Sequence, residues 1–470
     1  MNHSRRYVLL AILCGSLFLV SLDSTIVNVA LPTIARELGS SVQTLQWTVD
    51  AYLLVLAALL LLSGSLADRF GRKKVFAAGV IIFTTGSLLC SIAPTEHWLI
   101  VFRMFQAVGG SAMTPVALAI LTNIFTAPTD RARAIGIWSA VSGVGIAAGP
   151  LIGGFLIDSV GWRSIFWINV PTGIAVAVLV IVLIPESRAA VPRAVDPAGQ
   201  LFAILLMVSL VFSIIESSRL GFASPVIWCS IAVTVASFIG LIGYERRRPQ
   251  PLIPLSLFRQ RRFTVAFCIA ILGFLAFGGL LFINTLYLQQ ALSLPAYQAG
   301  LLTLPLALAT VVAAPISGRL LATYGGRRPV VIAGTGIGVG ALLIIAAALS
   351  SGVLWLIAPY AVFGVGYGML NAPVNDTAVS DLPDDQAGVA ASLISTAKQT
   401  GSALGVAIAG AVIATHLGDN ITAAFAGHGW IAMLLIAACG AAIVALALPR
   451  AATPAPTTTP TRTPAVGVTP

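Results

Sequence analysis

Gly64-Ser65-Leu66-Ala67-Asp68-Arg69-Phe70-Gly71-Arg72-Lys73-Lys74 is a charged turn set between two long apolar runs. Far downstream, Gly318-Arg319-Leu320-Leu321-Ala322-Thr323-Tyr324-Gly325-Gly326-Arg327-Arg328 repeats its pattern. In that register Gly64 matches Gly318, Leu66 matches Leu320, Gly71 matches Gly325, and Lys73-Lys74 match Arg327-Arg328. Asp68 is answered only by Ala322. A charged turn that recurs once in so apolar a chain implies duplication of a membrane-spanning unit. Loss of the acid from one copy implies that the two halves no longer do the same job.

The surrounding composition fits a membrane protein. The 470 residues are 58% hydrophobic and 9% charged, whereas soluble domains carry about 25% charged residues. Fourteen apolar runs can be counted, each of the roughly 20 residues needed to cross a hydrocarbon core about 30 Å thick. The first follows Arg5-Arg6 but lacks a small-residue cleavage site and continues into Asp23 and Asn28, so it reads as a retained span and not a signal peptide. The net charge of +10 raises the question of nucleic acid, and its placement answers it. With the amino terminus inside, 21 of the 26 basic residues fall in interior segments, three (Arg36, Arg163, Arg219) outside, and two (Arg103, Lys398) within runs. This positive-inside bias predicts a multi-pass protein of the plasma (inner) membrane with both termini cytoplasmic. Its surroundings are membrane lipid, and no nucleic acid is expected.

The runs divide into six, two and six. Residues 1–184 are expected to form an amino-terminal six-helix bundle, 185–262 two linker helices with flanking cytoplasmic loops, and 263–448 a carboxy-terminal six-helix bundle. Residues 449–470, rich in Pro and Thr, are expected to be a disordered cytoplasmic tail. A second echo supports duplication, since Gly145 and Gly149 in the fifth run correspond to Gly401 and Gly405 in the thirteenth. The fold class expected is an all-α polytopic membrane protein, two six-helix bundles plus two additional central helices, with a substrate site near the midplane between the halves.

Ionisable groups inside spans are costly and mark function by default. Asp23 lies deep in the first run, where a proton and a cationic substrate could compete for it; the alternative is a structural acid bonded to a neighbouring Ser or Thr. Arg103, in the fourth run, stays charged whatever its neighbours do, so it either stabilises an ionised acid such as Asp23 or snorkels to the outer surface. Asp50, in Trp47-Thr48-Val49-Asp50-Ala51-Tyr52, begins the second run and is either a second acidic site or an interfacial helix cap. Lys398, in the thirteenth, either pairs with an acid or reaches the inner surface. Glu216 and Asp376, at run ends, read as solvated acids. Gly145-Ile146-Ala147-Ala148-Gly149-Pro150-Leu151-Ile152-Gly153-Gly154 follows a different logic: glycines four apart let helices approach closely, and Pro150 removes a backbone donor.

Other chemistries have no footing in the residues. No phosphate-binding loop is present, which argues against an ATP-driven pump. Gly336, Gly338 and Gly340 fall inside an apolar run and read as packing. Five isolated cysteines and four scattered histidines offer no metal cluster. No cofactor, metal or obligatory protein partner is expected, and no enzymatic reaction.

Taken together, these motifs resemble the 14-span drug:proton antiporters of the major facilitator superfamily, over essentially the whole chain. Gly64, Leu66, Ala67, Asp68, Arg69, Gly71, Arg72 and Lys73 match the family's cytoplasmic signature, and Gly145, Gly149, Pro150, Gly153 and Gly154 its antiporter signature in the fifth span. Leu22-Asp23-Ser24-Thr25 through Pro32 resembles its first-span motif, and Gly161-Trp162-Arg163 to Asn169-Val170-Pro171 also fits. In the fourth-span motif Ala107 replaces the usual glycine. The resemblance implies the major facilitator fold, proton coupling at Asp23 and Arg103, a cytoplasmic gate at 64–74, and small-molecule substrate and protons as partners. The acid at Asp50 resembles that of members exporting cationic compounds. The function implied is multidrug efflux by alternating access. The alternatives are a metabolite or siderophore exporter on the same scaffold, or a non-transporting receptor or partner subunit.

Overall fold

The computed structural model describes the backbone of residues 3–188, 196–248, 251–349, 352–380, 382, 384–416 and 430–447. The tail expected at 449–470, and residue 448 at the end of the second bundle, lie outside the described residues. Among the described residues the chain is helical throughout, without a strand. Fourteen helices are long and apolar enough to cross a membrane. They are α1 (Arg5–Leu38), α2 (Val42–Phe70), α3 (Arg72–Ser91), α4 (Glu96–Ile124), α5 (Thr129–Val160), α6 (Ser164–Leu183), α7 (Pro197–Leu220), α8 (Pro225–Glu245), α9 (Arg261–Ala291), α10 (Ala296–Tyr324), α11 (Arg327–Ala348), α12 (Val353–Val379), α13 (Gly388–Ala414) and α14 (Trp430–Ala447).

Helix ends follow local chemistry. Ser41 Oγ accepts from Thr44 N at 3.2 Å and starts α2, and Asp196 Oδ1 accepts from Gly199 N at 3.0 Å and starts α7 just ahead of Pro197. Because α2 begins at Val42, Asp50 stands two turns inside the helix and does not cap it. Most spans run unbroken through their prolines. α12 does not: it is interrupted at Met369 and Leu370, between the segments Ile357–Gly368 and Asn371–Val379.

Each half repeats one packing scheme. α1 packs on α5, α3 on α4 and α6, and α2 on α4, while α9 packs on α13, α11 on α12 and α14, and α10 on α12. The glycine echo is structural as well. A Cβ on Gly145 would stand 2.8 Å from Ser21 Cβ of α1, and one on Gly401 3.0 Å from Ile271 Cα of α9. Gly336 and Gly340 lie against Gly366 and Phe363 of α12, and Gly338 near Ala437 of α14, so that string is a helix-packing surface.

The two extra helices are central in sequence and peripheral in space. α7 and α8 form a hairpin, and α7 reaches both halves, through α2 and α13. Gln200 Nε2 donates to Ala58 O near one end of α7, and Gln43 Nε2 to Ser218 Oγ at 3.2 Å near the other. Glu216 corrects the expectation of a solvated acid: it is buried, and accepts from Trp47 Nε1 at 3.1 Å and Arg219 Nε at 2.8 Å. Its place in the α2–α7 contact withdraws it from water.

Contact between the halves runs from the end away from the basic turns 64–74 and 318–328 to mid-span, where Thr396 Oγ1 donates to Ala57 O at 3.4 Å. Along it α5 meets α10, and α2 meets α13. Gln46 Nε2 donates to Val406 O and Ala407 O at 3.2 and 2.8 Å, Tyr297 N to Asp158 Oδ2 at 2.8 Å, and Gln289 Nε2 to Val29 O at 2.8 Å. A Cβ on Gly154 would lie 2.8 Å from Tyr297 Cα. Toward the basic turns the contact ends, and Gly64, Gly136 and Gly318 all face open space. The halves therefore splay into a cleft that opens on the basic face. At its apex are voids of only about 10 Å³, walled by Thr25, Asn28, Pro150, Asn284 and Thr303 among others. That is room for about one water.

Candidate functional site

A fully buried carboxylate sits in the middle of the first half. Asp23 has no exposed surface, and its carboxylate is met from two other helices. Arg103 Nη1 of α4 donates to Oδ2 at 2.6 Å, and Gln106 Nε2, one turn on, to Oδ1 at 2.9 Å. Asn169 Nδ2 of α6 also donates to Oδ1, at 3.1 Å, and to Ser87 Oγ at 3.0 Å. All three contacts are donors to the carboxylate, the pattern of an ionised acid. Arg103 is itself 2% exposed, so it does not snorkel; its guanidinium also bonds Gln106 Oε1 at 2.8 Å and lies 3.9 Å from the Tyr52 ring centroid. A buried pair contributes little net stability, but removing one partner costs about 3–5 kcal/mol. The cluster holds its charge only while it is complete.

Asp23 and Arg103 are thus brought together, with two amides and a tyrosine that sequence reasoning did not single out. Gln106 is spaced three residues from Arg103 on one helical face, and Asn169 lies in a string already noted, so both signals were present. The Asp23 carboxylate is enclosed by its donors, while the cleft touches α1 at Thr25, on a different side of the helix. Thr25 Oγ1 instead donates to Ile146 O of α5 at 3.2 Å.

The other acid is also withdrawn. Asp50 has no exposed surface, and neither carboxylate oxygen has a hydrogen-bond partner among the described residues. At 100° per residue, it points between Gln46, which faces α13, and Trp47, which faces α7, and it is turned away from Tyr52 and Arg103. It belongs to the seam between the halves and does not line the cleft apex. Lys398 Nζ donates to Asn375 Oδ1 at 2.9 Å and lies 5.6 Å from the Phe274 ring centroid.

At the basic turn, Asp68 Oδ1 accepts from Arg72 Nη2 at 3.1 Å, and Arg72 Nη1 reaches Ala119 O of α4 at 3.3 Å. Arg69 lies over its neighbour Phe70. Gly71 has φ 112°, a conformation that requires glycine, and the Glu186 carboxylate stands 2.7 Å from where a Cβ would lie. Glu186 Oε1 accepts from Lys73 N at 3.1 Å, and Ser187 O accepts from Arg72 N at 2.9 Å. The end of the first bundle thereby holds the turn, a role the sequence did not announce. The copy keeps two of the bases, Arg327 and Arg328, but has Ala322 and Gly326 where Asp68 and Arg72 stand, so it lacks both partners of this contact.

The fifth-span string serves two interfaces. Gly145, Gly149 and Gly153 face α1: Gly149 abuts Thr25, and a Cβ on Gly153 would lie 2.7 Å from Ile26 Cγ1. Pro150 and Gly154 face α10, where Gly300 abuts Pro150 O. One helix therefore touches α1, which carries Asp23, on one side and the other half of the molecule on the other.

Comparison with known proteins agrees with this architecture. The family model for the Major Facilitator Superfamily matches residues 13–406. The chain is 34% identical over 425 residues to multidrug resistance protein Stp of Mycobacterium tuberculosis, covering 90% of this chain and 78% of that protein. It is 35% identical over 424 residues to the tetracenomycin C resistance and export protein of Streptomyces glaucescens, covering 87% and 76% respectively. It is 30% identical over 418 residues to the multidrug efflux pump LfrA of Mycolicibacterium smegmatis, covering 89% and 83%. Among solved structures, a bacterial homolog of the human lysosomal transporter Spinster superposes with a TM-score of 0.70 at 18% identity, over 95% of this chain and 97% of that one, a likeness of fold.

Proposed function

The chain belongs to the Major Facilitator Superfamily, and from that premise we propose that it exports drugs or other amphiphilic toxic compounds in exchange for protons. The direction rests on the positive-inside rule, which puts the basic face, the cleft mouth and both termini in the cytoplasm of a cell whose plasma membrane holds the protein. The relatives named for multidrug resistance, efflux and export support the substrate class.

The observation that carries proton coupling is the complete, enclosed Asp23 cluster in a state open to the basic face. An ionised Asp23 holds α1, α4 and α6 together through three donors. Protonation from outside removes the charge that Arg103 neutralises and loosens the cluster. α1 is then free to move against the small residues of α5, which also form the seam with α10. Substrate presses on the cleft side of α1 and the proton acts from within the bundle, so the two communicate through the helix without sharing a ligand. The basic turn, with Asp68, Arg72 and Glu186, acts as the cytoplasmic gate. Each charge moved through 100 mV contributes about 2.3 kcal/mol, enough for a roughly fifty-fold substrate gradient at about 1.4 kcal/mol per tenfold.

In proteoliposomes with an inside-acid gradient, uptake of a fluorescent drug is expected in the native protein and absent in Asp23→Asn. Gradient-driven uptake that survives the substitution intact sinks the assignment.

A further inference from the structure

We infer that Asp196 and Glu245 form a proton-binding site at the foot of the α7–α8 hairpin, separate from the Asp23 cluster, in which a single proton on Glu245 is shared with Asp196 Oδ2.

Glu245 ends α8 and Asp196 stands immediately before α7, so the pair closes the hairpin on the side of the basic turns. Both are buried, with 3% and 5% of their surface exposed. Their partners differ. Asp196 Oδ1 accepts from Gly199 N at 3.0 Å and Tyr244 Oη at 3.1 Å, and Arg248 Nη2 lies 3.7 Å away. That is the donor set of an ionised carboxylate. Asp196 Oδ2 and both oxygens of Glu245 have no hydrogen-bond partner among the described residues. They are aimed at one place, since a Cβ built on Gly199 would stand 2.6 Å from Glu245 Oε1 and 2.9 Å from Asp196 Oδ2. A side chain at 199 would occupy the point on which the two oxygens converge.

This geometry selects a proton. Two carboxylates in one buried site do not both keep their charge, and one proton between them relieves the repulsion. A protonated carboxyl gains an O–H donor, and Asp196 Oδ2 is an acceptor that lacks one. A proton taken from water onto Glu245 therefore supplies the missing bond and halves the charge of the pair. A divalent cation asks for about six oxygen ligands, and no third acid joins the pair among the described residues.

The neighbouring groups do not replace that proton. Arg248 is exposed and turned to Tyr244, with Nε donating to Tyr244 Oη at 2.8 Å. Gln200 Nε2 is taken by Ala58 O of α2. The backbone of Leu252 and Ile253, in the connector to α9, faces Glu245 without closing a hydrogen bond to it. Among the described residues, the charged and titratable groups around Glu245 are thus Asp196, Arg248 and Tyr244. Loss of the proton puts a second, unanswered charge beside the start of α7. The site therefore clamps the foot of the hairpin at acidic and neutral pH and releases it as pH rises, the sign for a proton held by the folded state.

The test uses the full-length protein in detergent. At neutral pH, the infrared difference between native protein and Glu245→Gln is expected to show a carboxylic acid C=O band in the native protein, because Asp50 and the other acids cancel. Asp196→Asn should lose the same band, since its amide offers Glu245 a donor in place of a like charge. Hydrogen exchange over 199–202, corrected for its intrinsic rate, should quicken by up to about tenfold per pH unit as the proton leaves. It should stay flat in Glu245→Gln. A carboxylate band in place of the acid band, or native pH dependence of exchange in Glu245→Gln, overturns the site. Persistence of the acid band in Asp196→Asn overturns the sharing, and that variant decides should Glu245→Gln fail to fold. Asp23 is unchanged throughout, so these outcomes leave the reading of drug exchange standing.

Discussion

A methyl group at Gly154 should act as a wedge between the two halves. Built on the backbone, the Cβ of Gly154→Ala stands 2.5 Å from Ala296 O and 2.8 Å from Tyr297 Cα. Non-bonded carbons sit about 3.5–4.0 Å apart, so α5 and α10 must part by roughly 1 Å. Both obstacles are helix backbone and cannot rotate aside. Overpacking of this kind costs about 1–3 kcal/mol, and only where the halves touch. Alanine also gains about 0.8–1.0 kcal/mol of helix propensity over glycine, but equally in every state, so that gain cancels from the balance between them. The ratio of seam-closed to seam-open molecules should fall by roughly 5- to 150-fold. Spin labels on Ser159 and Gln298, in a background with the five native cysteines replaced, report the seam by pulsed electron resonance. The longer-distance population is expected to grow in Gly154→Ala and to dominate in Gly154→Leu. An unchanged distance distribution in both variants would refute the view that α5 and α10 separate here during transport.

Three further outcomes follow from the same contacts. Arg103→Met leaves Asp23 buried with neutral donors only and should cost about 3–5 kcal/mol; the double variant with Asp23→Asn should melt at a higher temperature than Arg103→Met alone, and a melt no higher would show that the two charges do not depend on each other. Asp68→Asn breaks a partly exposed pair, 17% and 23% accessible, worth about 0–1 kcal/mol, so membrane insertion should stay normal while transport per molecule falls; native rates would contradict a gating role. Glu186→Ala removes the acceptor for Lys73 N and should cost the start of α3 about 0.5–2 kcal/mol. Hydrogen exchange over 72–75 should quicken by that amount, and an unchanged rate would release Glu186 from holding the turn.

Much of this molecule is legible in one dimension. The span count of fourteen, the six-two-six order and the duplicated turn follow from runs and repeats, because the bilayer demands apolar length segment by segment. Asp23 and Arg103 announce themselves for the same reason, as charges where charge is costly. Their partnership spans 80 residues, and Asn169 stands 146 from Asp23. Neutral amides carry too little cost to mark a site by themselves, so the spacing of Gln106 and the string holding Asn169 gain a role only once both are seen as donors around a carboxylate. Asp50 was placed at a helix end because Val42 to Gln46 are mixed in polarity and the apolar run alone begins later.

Hydropathy and repetition by themselves determined that the chain spans a membrane as two related halves, and which half kept its charges, since these are sums and comparisons along the sequence. Only the tertiary structure decided who faces whom: that Asp23 is enclosed within its bundle, that Asp50 lies in the seam, that Lys398 is met by an amide and aromatic rings, and that the cleft opens toward the basic turns. The physical reason is that burial of a span depends on its own composition, whereas satisfaction of a buried polar group depends on donors and acceptors that packing brings from distant helices.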